Sequence, residues 1–298
     1  MGAITRRVSL RRIHNPGAPI ALKFGGLELV AFSISGLATY VLAPAFDACF
    51  DLGHCPVEAT RLRNVFLSHV HQDHAGGVPR HFSMRAMFGA RPPRVYCPAE
   101  SAAGLLDVLR AWERLEEKPP AHLEDHVRGM RPGDSVDLGR RYTVRAFDVT
   151  HRIASRGYTV IENRKVLRAP YVGMPGAEIY AARLRGETVS DDAPHPVFTY
   201  IGDSTAETLR RNPEIGMSDV LFLEVTHLPG TARSASAQWG HTHLDDLIEL
   251  WRELPEALAS PHIVLKHFSM KYDEREVRAA MEALPPDLRR RVTVLVDG

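Results

Sequence analysis

The chain has very little cysteine: Cys49, Cys55 and Cys97 are its only three in 298 residues. That excludes a disulfide framework, and their spacing is not that of a zinc finger. A reduced compartment, the cytoplasm, is the expected home. There is almost no net charge, because 37 basic side chains face 36 acidic ones. This balance neither invites nor forbids a nucleic-acid partner. No uninterrupted apolar run is long enough to span a bilayer, so no membrane association is expected. The opening MGAITRRVSLRRIH lacks the apolar h-region of a secretory signal, and Gly2 lacks the Ser or Thr of a myristoylation motif. Nor is there an internal repeat of solenoid period. What remains is ordinary for a globular protein with a sizeable core, at 44% apolar and 24% charged residues. The length allows one large α/β domain or two small ones.

Against that plain background one stretch stands out, LSHVHQDHAGG at residues 67–77. It places His69, His71, Asp73 and His74 within six positions, after the apolar Val65, Phe66 and Leu67 and before two glycines. A strand ending in such a loop offers three imidazoles and a carboxylate to one point, a donor mix suited to borderline metals such as zinc.

The rest of the chain reads as repeated strand–loop–helix units. Residues 6–14 alternate basic and apolar residues, as an edge strand with a charged outer face would. LELVAFSISG and TYVLAP are β-rich, and FDACFDLGHCP is a strand running into a turn that holds Asp51. Residues 76–89 look helical with Gly89 as a stop, and Ser101 is placed to cap the helix SAAGLLDVLRAWERLEE. RYTVRAFDVTH ends on His151, VFTYIGDST at Asp203, VLFLEVTH near Glu224, and HIVLKHFSMKY at His267. Residues 161–196 are the least regular part and read as a basic inserted loop or cap carrying Arg164, Lys165 and Arg168. With no break in composition, one layered α/β domain over residues 1–298 is expected.

Strand ends on one side of a sheet converge, so the later strand ends are expected to join the histidine loop. His69, His71 and His151 would hold one metal, Asp73, His74 and His267 the other, and Asp203 would bridge them. Five nitrogens and two carboxylates suit two zinc ions roughly 3.5–4 Å apart, with manganese or iron as alternatives. Taken singly, His151 and His267 also fit satisfied interior histidines, and Asp203 fits a cap on the helix TAETLRR.

This pattern of H-x-H-x-D-H followed by His, Asp and His at strand ends resembles the metallo-β-lactamase superfamily. The resemblance implies a four-layer αβ/βα sandwich of two mixed sheets flanked by helices, with a dinuclear site at one edge. Within the superfamily the chain is similar to tRNase Z, particularly its short form, from about Asp51 onward. FLSHVHQDHAGGVP looks like that family's histidine motif and GMPGAEIYAARLRG like its Pro-Gly…Leu-x-x-Gly segment. YIGDST, LEVTH, GHTH and KHFSMKY resemble its G-D-T strand, acidic strand, G-H-S/T motif and H-F-S-x-R-Y ending. Three features depart from the pattern. Ser204 stands where it has Thr, and Lys271 where it has Arg, whose fork grips phosphate with two prongs. No clear Gly-Pro-rich arm, the segment that grips the tRNA elbow in many relatives, lies between His151 and Asp203.

The resemblance implies a zinc-dependent endoribonuclease that trims precursor tRNA, using a metal-bound hydroxide to cleave a phosphodiester and leave a 3′-hydroxyl. In that scheme Asp73 orients the nucleophile and accepts its proton. His241 is the general acid, and Glu224 keeps it charged. Asp51 is either a partner to a zinc histidine or a simple turn residue. Ser269, Lys271 and Tyr272 are candidates for contacting phosphate or the terminal nucleotide. Arg80, Arg85, Arg91 and Arg94 form a basic neighbourhood that could track an RNA backbone or simply be a solvated helix face. A homodimer is expected from the family. The alternative left open is a metal-dependent phosphodiesterase for cyclic or small esters.

Overall fold

The computed structural model describes residues 17–118, 122–139 and 141–296, so the edge strand expected at residues 6–14 lies outside the described residues. Among the described residues the strands make two mixed sheets. The first runs, in order, β1 (Ile20–Phe24), β2 (Leu27–Ser35), β3 (Ala38–Ala43), β4 (Ala48–Leu52), β5 (Asn64–Phe66), β6 (Arg94–Pro98) and β7 (Val127–Met130). The second begins with β8 (Ser135–Asp137), β9 (Tyr142–Asp148), β10 (Arg156–Leu167) and β11 (Ser190–Tyr200). It continues through β12 (Val220–Glu224) and β13 (His262–Lys266). After the short β14 (Phe268–Ser269), which crosses to pair with β2, β15 (Val292–Val294) closes the second sheet beside β13.

Each sheet is antiparallel in one half and parallel in the other. Connection length decides which. A tight turn such as Gly25-Gly26 can only reverse the chain, whereas a parallel neighbour needs a crossover. Helices Val78–Met87 and Ala102–Leu115 cross over in the first sheet, and Leu244–Glu253 and Glu274–Ala280 in the second. The main core lies between the sheets, where Phe50, Phe66, Tyr158, Phe198, Tyr200 and Phe222 are fully buried. Two further apolar clusters seal the outer faces beneath the helices. The result is the expected four-layer sandwich.

Strand direction then places the site. β11, β12 and β13 are parallel, and β9 shares their direction because β10 is antiparallel to both β9 and β11. All four therefore finish at one edge, where the end of β5 and its histidine loop also lie. Tyr158 donates from its hydroxyl to Leu67 O (2.7 Å) and Arg156 N donates to Ser68 O (2.8 Å), binding that loop to the opposite sheet.

Several local expectations need correction. Residues 161–196 are regular: β10 and β11 continue as a paired hairpin from Ile161↔Pro196 to Leu167↔Ser190, and helix Gly176–Leu184 sits in the connection. Alternation on an exposed two-strand arm is weak because neither face is buried, which hid it from the sequence pattern. The arm is not a free basic surface either. Arg164 pairs with Glu162, Lys165 with Asp192 (2.9 Å) and Arg168 with Asp191 (2.7 Å). Asp51 belongs to β4 rather than to the turn after it. Ser101 precedes the helix Ala102–Leu115 as expected, but its side chain makes no capping hydrogen bond.

Candidate metal centre

The loop after β5 turns directly into a short helix, Gln72–Ala75, and this sets the spread of its four donors. The seven predicted side chains meet. Ligand atoms of His69, His71, His151 and Asp203 lie within 4.8 Å of one another, as do those of Asp73, His74 and His267. Asp203 spans the two groups. Its Oδ1 is 3.2 Å from His74 Nε2 and 3.3 Å from His267 Nε2, while Oδ2 is 3.7 Å from His69 Nε2.

The surrounding hydrogen bonds fix which nitrogen each ring presents. The carboxylate of Asp51 is fully buried and accepts from Ser68 N (2.6 Å), Ser68 Oγ (2.8 Å), Tyr200 Oη (2.6 Å) and His74 Nδ1 (2.7 Å). Ser68 Oγ spends its proton on Asp51, so it accepts from His69 Nδ1 at 3.0 Å. Thr226 Oγ1 likewise donates to Glu224 Oε2 (2.8 Å) and accepts from His267 Nδ1 (2.9 Å). His151 Nδ1 donates to Gly240 O at 2.9 Å. Four rings therefore keep a proton on Nδ1 and turn Nε2 toward the centre.

Nitrogen and oxygen atoms that converge this closely must share a proton or a cation. His74 Nε2 and His267 Nε2 are 3.2 Å apart, and His151 Nε2 and Asp203 Oδ1 are buried without hydrogen-bond partners. Burial opposes charge on His74, yet Asp203 and Asp51 outweigh it and push the imidazole up to about 10. At His69 burial wins, aided by the charge of His74, and its pKa falls well below the ordinary value. Asp73 resists burial through a hydrogen bond with His267 and the charges of His74 and His267, which hold it at about 2. This set of imidazoles and carboxylates fits divalent cations.

Beside it, His241 Nδ1 lies 2.9 Å from Glu224 Oε1. Glu224 is fully buried and also accepts from Ser204 N, Thr242 N and Thr226 N (3.1, 3.1 and 2.7 Å). Burial disfavours the His241 imidazolium, but Glu224 overcomes it and raises the pKa. Gly240 is required here. Its φ is +74°, and a Cβ would fall 2.8 Å from His151 Nδ1. His267 itself sits at φ 65° and Asp51 at φ 55°, left-handed conformations that a side chain adopts only when its surroundings impose them.

Other predicted residues fare differently. Ser269 N donates to Thr226 O (3.0 Å) at the rim. Lys271 Nζ donates to Thr231 Oγ1 (2.6 Å), and Tyr272 Oη accepts from Leu228 N (3.0 Å), so both brace the 228–231 loop beside the site. The basic neighbourhood does not form a surface by the loop. Arg85 is buried, donating to Thr60 O, Leu62 O and Arg91 O, and Arg94 pairs with Asn64 at the starting end of β5. The helix Val78–Met87 leads away from the histidine loop, so Arg85, Arg91 and Arg94 are close to it in sequence only. Three residues were given no role by the sequence reading. Thr226, inside LEVTH, links Glu224, His241 and His267. Lys266 is fully buried without a hydrogen-bond partner, its Nζ 4.8 Å from the Tyr200 ring, and burial lowers its pKa. His227 Nδ1 lies 2.9 Å from Ser236 Oγ, and burial, then the charge of Lys271, lowers its pKa to about 4. An unexpected lysine at the end of an otherwise apolar strand was the available signal for Lys266.

The fold and this cluster define a beta-lactamase superfamily domain, whose family model matches residues 45–268. That fold implies divalent metal ions, and the His/Asp groups above can bind them. tRNase Z TRZ1 of Arabidopsis thaliana is 30% identical over 284 residues, covering 93% of this chain and 98% of the relative. The chain belongs to the tRNase Z family and is a metal-dependent hydrolase. Among solved structures, the short form of human tRNase Z (ELAC1) aligns with a TM-score of 0.53 at 17% identity, covering 95% of each chain. The Bacillus subtilis metallo-beta-lactamase fold protein YhfI aligns with a TM-score of 0.55 at 15% identity, covering 89% of this chain and 95% of that one. Among the described residues no helix is long and apolar enough to cross a membrane.

Proposed function

We propose that the protein is a tRNA 3′-processing endoribonuclease that cleaves a phosphodiester and leaves a 3′-hydroxyl. His69, His71 and His151 would hold one zinc ion, Asp73, His74 and His267 a second, and Asp203 would face both. Two such ions, when bound, supply an acidified water and positive charge against the phosphate. The chain's own groups do the rest. Asp73 Oδ2 is held by Gly36 N (2.7 Å), which orients the carboxylate to align the nucleophile and take its proton. His241 uses Nδ1 toward Glu224, leaving Nε2 to give a proton to the departing alkoxide. The observation that carries this reading is that pair: an imidazole whose charged form a buried carboxylate favours, partly open to solvent, beside the seven metal-site side chains. Ser269, Lys271 and Tyr272 would line the substrate side of the rim. A cytoplasmic homodimer built from one domain per chain completes the proposal.

The test is cleavage by zinc-loaded protein of a precursor tRNA, an aryl phosphodiester and a cyclic nucleotide. Cutting just after the discriminator base is the expected result. Activity on the small esters alone would favour a small-substrate phosphodiesterase, a second reading that rests on the neutralised cations of the arm.

A further inference from the structure

Trp239 is half exposed, at 52% of its full surface, at the rim of the site, and the core does not account for it. Its backbone is anchored: Trp239 N donates to Ser236 O (3.1 Å) at the end of helix Arg233–Gln238. The next residue, Gly240, holds His151 through its carbonyl, and the one after is His241. On the other side Arg152 follows His151 directly and lays its guanidinium over the indole, 4.6 Å from the ring centroid. Arg152 N and Cγ crowd to 3.0 and 3.1 Å of where a Gly240 Cβ would stand, so the two segments are locked together. A flat ring is thus fixed one residue from the carbonyl that aims a metal-site histidine and two from the candidate general acid.

The chemistry of such a pair is that of a nucleotide. Every base has a π-face, so an indole accepts any of them by stacking, whereas phosphate alone would be served by charge without a ring. A guanidinium can stack on the ring and still direct its fork at a phosphodiester. We propose that Trp239 and Arg152 form a stacking platform for a nucleobase flanking the scissile phosphate. The proposal rests on the endoribonuclease reading above and adds the element that would grip unpaired RNA next to the cut.

The test compares two substrates in the zinc-loaded protein: a precursor tRNA and bis(p-nitrophenyl) phosphate, which has no base to stack. The quantity read is the ratio of kcat/KM for RNA to kcat/KM for the ester. Trp239→Ala is expected to lower this ratio about 5- to 150-fold, mainly through KM, as stacking of about 1–3 kcal/mol per base converts at about 1.4 kcal/mol per decade. Trp239→Phe keeps a π-face and is expected to recover most of the ratio. A ratio unchanged in Trp239→Ala overturns the platform, whether both activities persist or both fall together through a displaced Gly240. Recovery by Trp239→Leu as full as by Trp239→Phe overturns it too, since packing would then explain the effect. Wild-type protein that cuts the ester but no RNA defeats the endoribonuclease reading itself, and the platform with it.

Discussion

Two buried carboxylates govern the site at the scale of single residues. Asp51 accepts from four donors, two of which set the tautomers of His69 and His74. Asp51→Asn turns part of that acceptor into a donor facing other donors. Zinc affinity, followed by competition with a chromophoric chelator, is expected to fall about 10- to 100-fold. Glu224 governs His241. In Glu224→Gln the charge that favours the imidazolium is gone, burial prevails and the His241 pKa drops. The proton-donating form is then lost at lower pH as pH rises. The alkaline limb of the kcat–pH profile for precursor tRNA is accordingly expected to move to lower pH; an unmoved limb would remove His241 from the role of acid. The motifs around LSHVHQDHAGG were legible at this scale because the donors are contiguous. Thr226 and Lys266 were not, since a threonine or lysine declares its partners only when distant strands close around it.

At the scale of elements, the site depends on strands that end together. Phe50 in β4 packs between the sheets against Phe66, Phe198 and Tyr200, with ring centroids 5.5, 4.9 and 5.6 Å away, one residue before Asp51. Truncating it leaves a cavity in the layer that supports that carboxylate. Phe50→Ala is expected to cost about 3–5 kcal/mol in urea unfolding. The parallel strands were readable as apolar runs, and their crossover helices as amphipathic repeats. The arm of β10 and β11 was not. Its outer part is held by cross-strand ion pairs and main-chain bonds, which leave no buried face for a period of two to mark.

For the whole molecule, the donors come from both sheets. His69, His71, Asp73 and His74 follow β5 of the first, while His151, Asp203 and His267 follow β9, β11 and β13 of the second. Metal held there staples the sandwich across its open edge. Zinc at a thousandfold excess over Kd is expected to stabilise the fold by about 4 kcal/mol per site, read as a rise in melting temperature that chelation reverses. A melting temperature indifferent to zinc would exclude a cation bound between the sheets.

The sequence by itself determined the layered α/β class, the histidine loop and the residues at the later strand ends, because donor type, spacing and apolar runs are local properties of the chain. Tertiary structure alone decided that seven donors share one edge, that Asp51 and Glu224 select the ring nitrogens, that Arg85 is buried away from the site, and that the arm's cations are spent on their own neighbours. Those outcomes depend on strand direction and burial, which bring together atoms that no local pattern can relate.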